Sequence, residues 1–502
     1  MQNKSTASHI DKGPRRRTRR DLRPTPPGHD RAARTFLRFP EHWLKACCIA
    51  VCLSAAISSP ARSDQTPVGD RASSARDVEP KRPDEMVSVY RKALKELPRE
   101  RDPLESARVQ AALGAALATI GERDGDPHML SEATASYKAA LKIFSRWGAP
   151  VDWANTQFLL GRSLALQGAS ESSPGKLEEA ESAFRQALEE YGRRERPIEW
   201  ATTELCLGDV LIRLGKTYNR PEHLAGAIDA SSKALTVLER DCASFIWPRA
   251  QSILGDALGA LGTAEGRDEA LEEAASVFYD SLKECTRERN PYFWATAQVG
   301  LGNILATLGA RQASASRLTD AVAADREALQ VFTRERYATL WAMTQMNLGD
   351  ALAALGDRQS DADRLKEAVA AYGEALQELT RAHTPSDWAA TQMKLGNALT
   401  ALGMREDEIT HIEMAVAAYR EASKEYTRDR APMDWAVVQG NLANALVLLG
   451  TREKNLERFD AAVTAYGEAL EILTPTAAPS QNEAIRKSLA RAHAAILQWL
   501  KE

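Results

Sequence analysis

Apolar side chains recur at helical spacing along most of the chain. Between Trp341 and Gly356 they lie three, four and seven residues apart, and the stretch from Leu365 to Leu376 has the same character. The two stretches predict a pair of helices. Gly356 fits the left-handed residue that ends the first of them.

Proline marks the start of the first helix in most of these predicted pairs. Asp102 and Thr384 each stand directly before such a proline and have an acidic residue three positions on, which predicts an N-cap. Each helix would have roughly 16–18 residues and a length of about 25 Å. The prolines are Pro103, Pro150, Pro197, Pro291, Pro385 and Pro432.

The whole pattern repeats every 47 residues. A Leu-Gly pair, first seen at Leu113 and Gly114, a second glycine column from Gly121 and an alanine column from Ala133 all keep that step. Columns that stay in step without an insertion indicate a repeat array. The same spacing holds for Trp153, Trp200, Trp247, Trp294, Trp341, Trp388 and Trp435.

The repeats divide the chain into three parts. Residues 1–61 combine a basic segment with an apolar run, residues 62–82 lack apolar periodicity and are typical of a flexible linker, and residues 83–500 form the array. Atypical ends are expected of such an array. We predict a lone helix at 83–97, about eight helix pairs at 104–472 and a capping helix at 481–500.

These columns resemble those of the tetratricopeptide repeat (TPR) family. In that family a Leu-Gly pair on the first helix is followed on the second by alanine, an aromatic residue and alanine. Here Leu348 and Gly349 are followed by Ala368, Tyr372 and Ala375. The resemblance covers over four-fifths of the chain, in an extended variant whose period is 47 residues instead of 34. It implies an all-α, right-handed superhelical solenoid of antiparallel helix pairs.

The position after the Leu-Gly pair is polar in six consecutive repeats, and the resemblance places it in a concave groove where asparagine holds a peptide backbone. An asparagine amide can both donate to and accept from an extended chain. Phe158, Met346 and Met393, two residues before the leucine, would add apolar contacts. We therefore predict a protein or peptide ligand, with a solvated polar stripe as the alternative. The six residues are Asp209, Asp256, Asn303, Asp350, Asn397 and Asn444.

The remaining columns are interpreted as structural. The tryptophans are expected in the core. An arginine column, which includes Arg334 and Arg381, follows each second helix and predicts a cation at the last carbonyls, with a basic ridge for an anionic ligand as the alternative. A glutamine column, which includes Gln157 and is broken by Glu204, predicts hydrogen bonds to adjacent backbone, with direct ligand contact as the alternative.

The charge and the absence of certain motifs argue against several classes of function. The 502 residues have a formal net charge of −4, which argues against nucleic acid as the main partner. The sequence contains no metal-ligand spacing, phosphate loop or nucleophile motif. We therefore predict no catalytic residue, no metal and no cofactor, and a protein that is not an enzyme.

The N-terminal segment is typical of an export signal. Residues 1–61 hold 12 Lys and Arg against 4 Asp and Glu, and their apolar run at 46–57 is too short to span a bilayer. Small residues follow, up to Ala61. This order predicts a bacterial secretory signal peptide cleaved near Ala61, and hence a periplasmic or secreted location. The alternative is an uncleaved segment that anchors the chain in the inner membrane, which would be its one contact with a membrane.

Three cysteines lie in that apolar run and would be removed with it. Cys206, Cys242 and Cys285 would remain, and an odd number leaves at least one thiol outside a disulfide. Cys206 replaces an apolar residue on a predicted helix and is expected in the core.

Together these features predict an exported adaptor or scaffold that binds a protein or peptide in its groove. One alternative is a membrane-anchored or cytoplasmic scaffold, which cleavage at Ala61 would contradict. The other is a non-catalytic subunit of an enzyme that assembles the cell envelope.

Overall fold

The architecture was analysed in a computed structural model of the chain. It describes residues 83–96, 102–171, 173–218 and 220–499. The predicted signal peptide at 1–61 and the predicted linker at 62–82 lie outside the described residues.

Within these ranges the chain forms 18 helices and no strand. No helix there has the length and hydropathy needed to cross a membrane. The helices are α1 (Pro83–Glu96), α2 (Pro103–Asp124), α3 (Pro127–Ala140), α4 (Pro150–Ser170), α5 (Pro174–Glu190), α6 (Pro197–Thr217), α7 (Pro221–Leu235), α8 (Ile246–Glu265), α9 (Asp268–Glu284), α10 (Pro291–Arg311), α11 (Ala315–Leu329), α12 (Arg334–Gln359), α13 (Ala362–Ala375), α14 (Pro385–Glu406), α15 (Ile409–Ala422), α16 (Pro432–Glu453), α17 (Leu456–Ile472) and α18 (Pro479–Trp499).

The helices pack in consecutive pairs. Helix α1 precedes eight pairs, from α2–α3 (pair 1) to α16–α17 (pair 8), and α18 follows the last pair. We call the first helix of a pair its A helix and the second its B helix. Each B helix packs on its own A helix and on the A helix of the next pair. The predicted all-α solenoid of helix pairs is confirmed.

The Leu-Gly column lets an aromatic ring of the B helix approach the A helix. A Cβ at Gly349 would lie 2.6 Å from Cε1 of Tyr372, and one at Gly396 would lie equally close to Tyr419. Only a residue without a side chain leaves room for these rings. The alanine column completes the contact, since Ala368 is 0% exposed. The repeated glycines are therefore a packing requirement.

The second glycine column lies inside the A helices. Helix α12 continues past Gly356, and the left-handed residue is Ser360, with a φ of 55° and an N–H that donates to the Gly356 carbonyl. The prediction that Gly356 ends the helix is therefore wrong. Its missing Cβ makes room for Leu365 of α13, whose Cγ would lie 3.0 Å away. As a result the A helices are longer than predicted, with 20 residues in α8 and 22 in α14.

Proline begins six of the eight A helices, at the predicted positions, but only one of the two predicted N-caps forms. Asp102 Oδ1 accepts a 3.0 Å hydrogen bond from the N–H of Glu105, two residues after Pro103. Thr384 makes no capping bond, because its hydroxyl donates instead to the carbonyl of Thr380 at 3.3 Å.

The arginine column joins successive pairs. The guanidinium of Arg334 lies 5.6 Å from the ring centroid of Trp341, and its Nε is 2.6 Å from Glu378, just past the end of the next B helix. Arg381 likewise donates to the carbonyl of Lys424 at 3.2 Å. The carbonyls that the arginines satisfy thus belong to the following pair, and each guanidinium links two neighbouring repeats.

One disulfide bond also joins two pairs. Cys242, in the link after α7, is bonded to Cys285, just past α9, with a Cα–Cα distance of 5.3 Å. Both cysteines are buried in a cluster with Trp247 and Phe293. Cys206 is buried in α6, as expected from the sequence. The bond connects pair 3 to pair 4 covalently.

Candidate functional site

The polar column predicted from the sequence lies on the A helices. Successive A helices contact each other directly, whereas successive B helices approach less closely. The column therefore lies on the side where neighbouring pairs come closest, which we call the A-helix face. Asp209 and Asp350 are half-buried there. Four members of the column are exposed: Asp256, Asn303, Asn397 and Asn444.

Tyrosine hydroxyls hold the column in the last three pairs. Tyr419 donates to Asn397 Oδ1 at 2.8 Å, and Tyr466 donates to Asn444 Oδ1 at 2.6 Å. In pair 6 the hydroxyl of Tyr372 reaches Asp350 at 2.8 Å. Each ring starts on the B helix, and the ring brings its hydroxyl to the A-helix face.

These bonds orient the asparagine amides. Burial raises the pKa of Tyr466 to about 12, so at neutral pH its hydroxyl is protonated and acts as a donor. The Oδ1 of Asn444 is its acceptor, and the Oδ1 of Asn397 is fixed in the same way by Tyr419. Because the oxygens are engaged inward, the exposed amides have their N–H groups available for an acceptor in solution.

The column also links one A helix to the next. Lys394 Nζ lies 2.5 Å from Asp350 Oδ2, and Asn441 Nδ2 donates to Asn397 Oδ1 at 3.0 Å. Asp209 is paired with Arg249 of the following pair. The carboxylates of Asp209 and Asp350 are therefore neutralised within the chain, and they hold neighbouring repeats in register.

Asp256 differs from these two aspartates. Its carboxylate has no hydrogen-bond partner among the described residues, because Phe278 replaces the tyrosine of its pair. The surrounding protein desolvates the group and raises its pKa, Lys216 counteracts this, and Asp209 adds a smaller increase. Part of the Asp256 side chain is nevertheless exposed on the A-helix face.

The three predicted apolar contacts do not form an open surface. Phe158 is 1% exposed and packs against Phe184 with ring centroids 5.9 Å apart, so its prediction as a groove residue is wrong. Met346 and Met393 are half-buried in the core between pairs, and Met346 Sδ accepts a 3.3 Å hydrogen bond from Thr391 of the next A helix. Their position faces the contact between successive A helices.

Two other methionines give the A-helix face its apolar character. Met343 is 39% exposed and Met404 is 58% exposed. Met343 lies seven residues before Asp350, and Met404 lies seven residues after Asn397. Seven residues are two helical turns, so each methionine is on the same side of its helix as the column residue. That spacing was the signal in the sequence that could have identified them.

The glutamine column is buried at Gln157 and Gln251 and half-buried at its other glutamines. Gln157 donates to the side chain of Gln186 at 2.8 Å, so the predicted bond to backbone is wrong at this position. Glu204, which interrupts the column, is 6% exposed. Burial raises the pKa of this carboxyl to about 7, although Lys233 and Arg185 lower it.

In the part of the chain that the structure describes, one group of side chains has metal-ligand chemistry. Glu406, Glu408 and His411 lie close together at the junction of α14 and α15, with His411 Nδ1 3.2 Å from Glu408. Lys366 Nζ is 2.6 Å from Glu406 and already neutralises that carboxylate. We assign no metal to this cluster.

No protein-family model matches the chain, and no curated protein sequence matches it significantly. Among solved structures, a thermophilic TPR protein of Thermus thermophilus is 20% identical, with 48% of this chain and 98% of that one covered and a TM-score of 0.33. A Rap protein complexed with competence and sporulation factor is 12% identical over 75% and 94%, with a TM-score of 0.39. Yeast Tom70 is 14% identical over 83% and 92%, with a TM-score of 0.32.

The packing itself defines the class of the protein. Consecutive helix pairs, held together by repeated glycines against aromatic and leucine side chains, make it a helical-repeat solenoid. Within that class, its Leu-Gly, alanine and aromatic columns and its helix pairing resemble those of TPR proteins, at an extended period of 47 residues.

Proposed function

We propose that the protein is a non-catalytic adaptor or scaffold that binds an extended protein segment or peptide along its A-helix face. The observation that carries this proposal is the orientation of Asn397 and Asn444, whose amide oxygens are held by tyrosine hydroxyls. Outward N–H donors at successive repeats match the carbonyl oxygens of an extended peptide. The exposed side chains of Met343 and Met404 add apolar contact area.

Selection of displayed random 12-residue peptides on the immobilised full-length chain tests this proposal. The affinity of a selected peptide is then compared between the wild type and the double variant Asn397→Asp, Asn444→Asp. Aspartate keeps an acceptor for each tyrosine hydroxyl but removes the outward N–H donors. We expect binding to weaken at least about five-fold, because losing two hydrogen bonds costs about 1–3 kcal/mol.

Glu374→Gln is the matched control, since Glu374 is exposed on B helix α13 away from the polar column. Circular dichroism checks that each variant is folded. Equal affinities for the wild type, the double variant and the control would contradict binding at this face.

We further propose that the chain is exported to the periplasm or the medium through the N-terminal signal. Support comes from the disulfide between Cys242 and Cys285, because structural disulfides persist mainly in oxidising compartments. Expression in a bacterial host, fractionation and N-terminal sequencing test this. A mature start near Arg62 is the expected result. An intact N-terminus in the membrane fraction or cytoplasm would favour the anchored or cytoplasmic scaffold.

A further inference from the structure

Pair 5 lacks the hydroxyl that holds the polar column in pairs 6 to 8. At the position of Tyr372 in pair 6, pair 5 has Asp325. A Cβ at Gly302 would lie 2.8 Å from Asp325 Oδ1, so this carboxyl rests on the A-helix backbone as the tyrosine ring does at Gly349. Asp325 therefore points along the path that in pair 6 leads from the B helix to the column residue, here Asn303.

The Asp325 carboxyl is buried without a counter-charge. It is 1% exposed, and Oδ1 has no hydrogen-bond partner within the described part of the chain. The charged group facing it is Asp350, which is itself bonded to Lys394 at 2.5 Å and to Tyr372 at 2.8 Å. Desolvation, and then Asp350, raise the pKa of Asp325 well above its usual range. Burial without a counter-charge thus favours the protonated form of Asp325, and an approaching cation would favour its ionised form.

Asn303 directly follows Gly302, the residue on whose backbone this carboxyl rests. Its side chain is exposed, and no side-chain hydrogen bond holds its amide among the residues described. Without a tyrosine hydroxyl below it, the amide is able to rotate. Asn303, Asp325 and Asp350 then offer several oxygen acceptors but few donors. A guanidinium or ammonium group supplies both the donors and the positive charge.

We propose that Asn303, Asp325 and Asp350 form a subsite for the side chain of an arginine or lysine in the bound peptide. This inference rests on the proposed function, because Asn397 and Asn444 would hold the peptide backbone beside it. A divalent metal ion fits less well, since calcium requires six or more oxygen ligands.

The peptides selected on the full-length wild type provide the test. We expect them to share one arginine or lysine at a fixed position. A synthetic peptide in which that residue is replaced by glutamine should bind the wild type about ten-fold more weakly, as expected for a hydrogen bond between charged groups. Asp325→Asn, which keeps the shape of the side chain, should bind both peptides equally well.

Asp325→Tyr is a second variant, which introduces the residue found in pairs 6 to 8. It provides an independent test if Asp325→Asn does not fold. It should also lose the preference for the cationic peptide. Isothermal titration in two buffers of different ionisation enthalpy adds a readout that a structural role would not change. Binding of the cationic peptide should release protons from the wild type and none from Asp325→Asn.

The possible failures are distinguishable. Selected peptides without a fixed cation, or an unchanged preference in Asp325→Asn, would overturn the subsite and leave the proposed function standing. Calcium binding that Asp325→Asn abolishes would also overturn it. If the wild type selects no peptide, or if binding is insensitive to Asn397→Asp, the proposed function fails and the subsite fails with it.

Discussion

Substituting one glycine of the second column tests whether the column exists for helix packing. A Cβ at Gly262, in α8, would lie 2.9 Å from the carbonyl oxygen of Arg267 and 2.9 Å from Cγ of Leu271. The first contact is to backbone, so a rotamer change cannot relieve it. Gly373, near the end of α13, is the matched control, because a Cβ there would meet nothing within 4 Å.

Both substitutions gain the helix preference of alanine over glycine, about 0.5–1 kcal/mol. For Gly262→Ala the new methyl group must also push α8 and the start of α9 apart, and overpacking of this kind costs about 1–3 kcal/mol. Gly373→Ala should therefore stabilise the chain slightly, and Gly262→Ala should destabilise it by up to about 2 kcal/mol. The two variants should therefore differ by the overpacking cost alone, about 1–3 kcal/mol.

Urea denaturation, followed by circular dichroism, measures the change in the free energy of unfolding of each variant. Because neighbouring repeats of a solenoid can unfold separately, hydrogen exchange of the α8 and α9 peptides should be measured as well. We expect faster exchange there in Gly262→Ala and no change at α8 and α9 in Gly373→Ala. If Gly262→Ala were as stable as Gly373→Ala, the packing explanation of the column would be refuted.

Three further variants have defined outcomes. Lys454→Gly should raise the free energy of unfolding by about 1 kcal/mol, measured as a higher urea midpoint. Lys454 has a φ of 52°, which glycine adopts without a steric cost. Relative to the wild type, Glu204→Gln should stabilise the chain by up to about 3 kcal/mol at pH 8 and by little at pH 4. Denaturation curves at the two pH values measure this difference. In the folded wild type the Glu204 carboxyl has a pKa of about 7, and it ionises on unfolding. The stability of the wild-type chain therefore falls as pH rises toward 7. Replacing Cys242 and Cys285 by alanine should lower stability by up to about 4 kcal/mol, and a wild-type chain treated with a reductant should lose a similar amount.

The repeat spacing in the sequence was sufficient to predict the pairing of the helices. Residues that recur every 47 positions are those that every pair needs, and Gly349 with Tyr372 is one such contact. Helix ends were harder to predict, because glycine is compatible both with a left-handed end and with close packing inside a helix. At Gly356 packing is the true reason, and Ser360 adopts the left-handed conformation.

The sequence columns also did not predict two contacts between repeats, because the residues in these contacts are not 47 positions apart. The disulfide between Cys242 and Cys285 spans 43 residues, and the bond from Lys394 to Asp350 spans 44. In both cases a residue reaches the neighbouring pair at a different position, which columns alone do not reveal. Phe158 was misplaced for a related reason: the residue faces the core between A and B helices, and spacing within one helix does not define that direction.

The polar column shows how this fold can vary its ligand without losing its packing. Asn397 and Asn444 keep their tyrosine partners, so the last two pairs present the same donors to solvent. Pair 4 has Phe278 and pair 5 has Asp325 at the tyrosine position, and there the column residue is no longer held. A single substitution on the B helix thus changes the chemistry of the A-helix face while the glycine and alanine columns remain unchanged. Specificity in this protein would therefore be determined as much by the residues behind the face as by those on it.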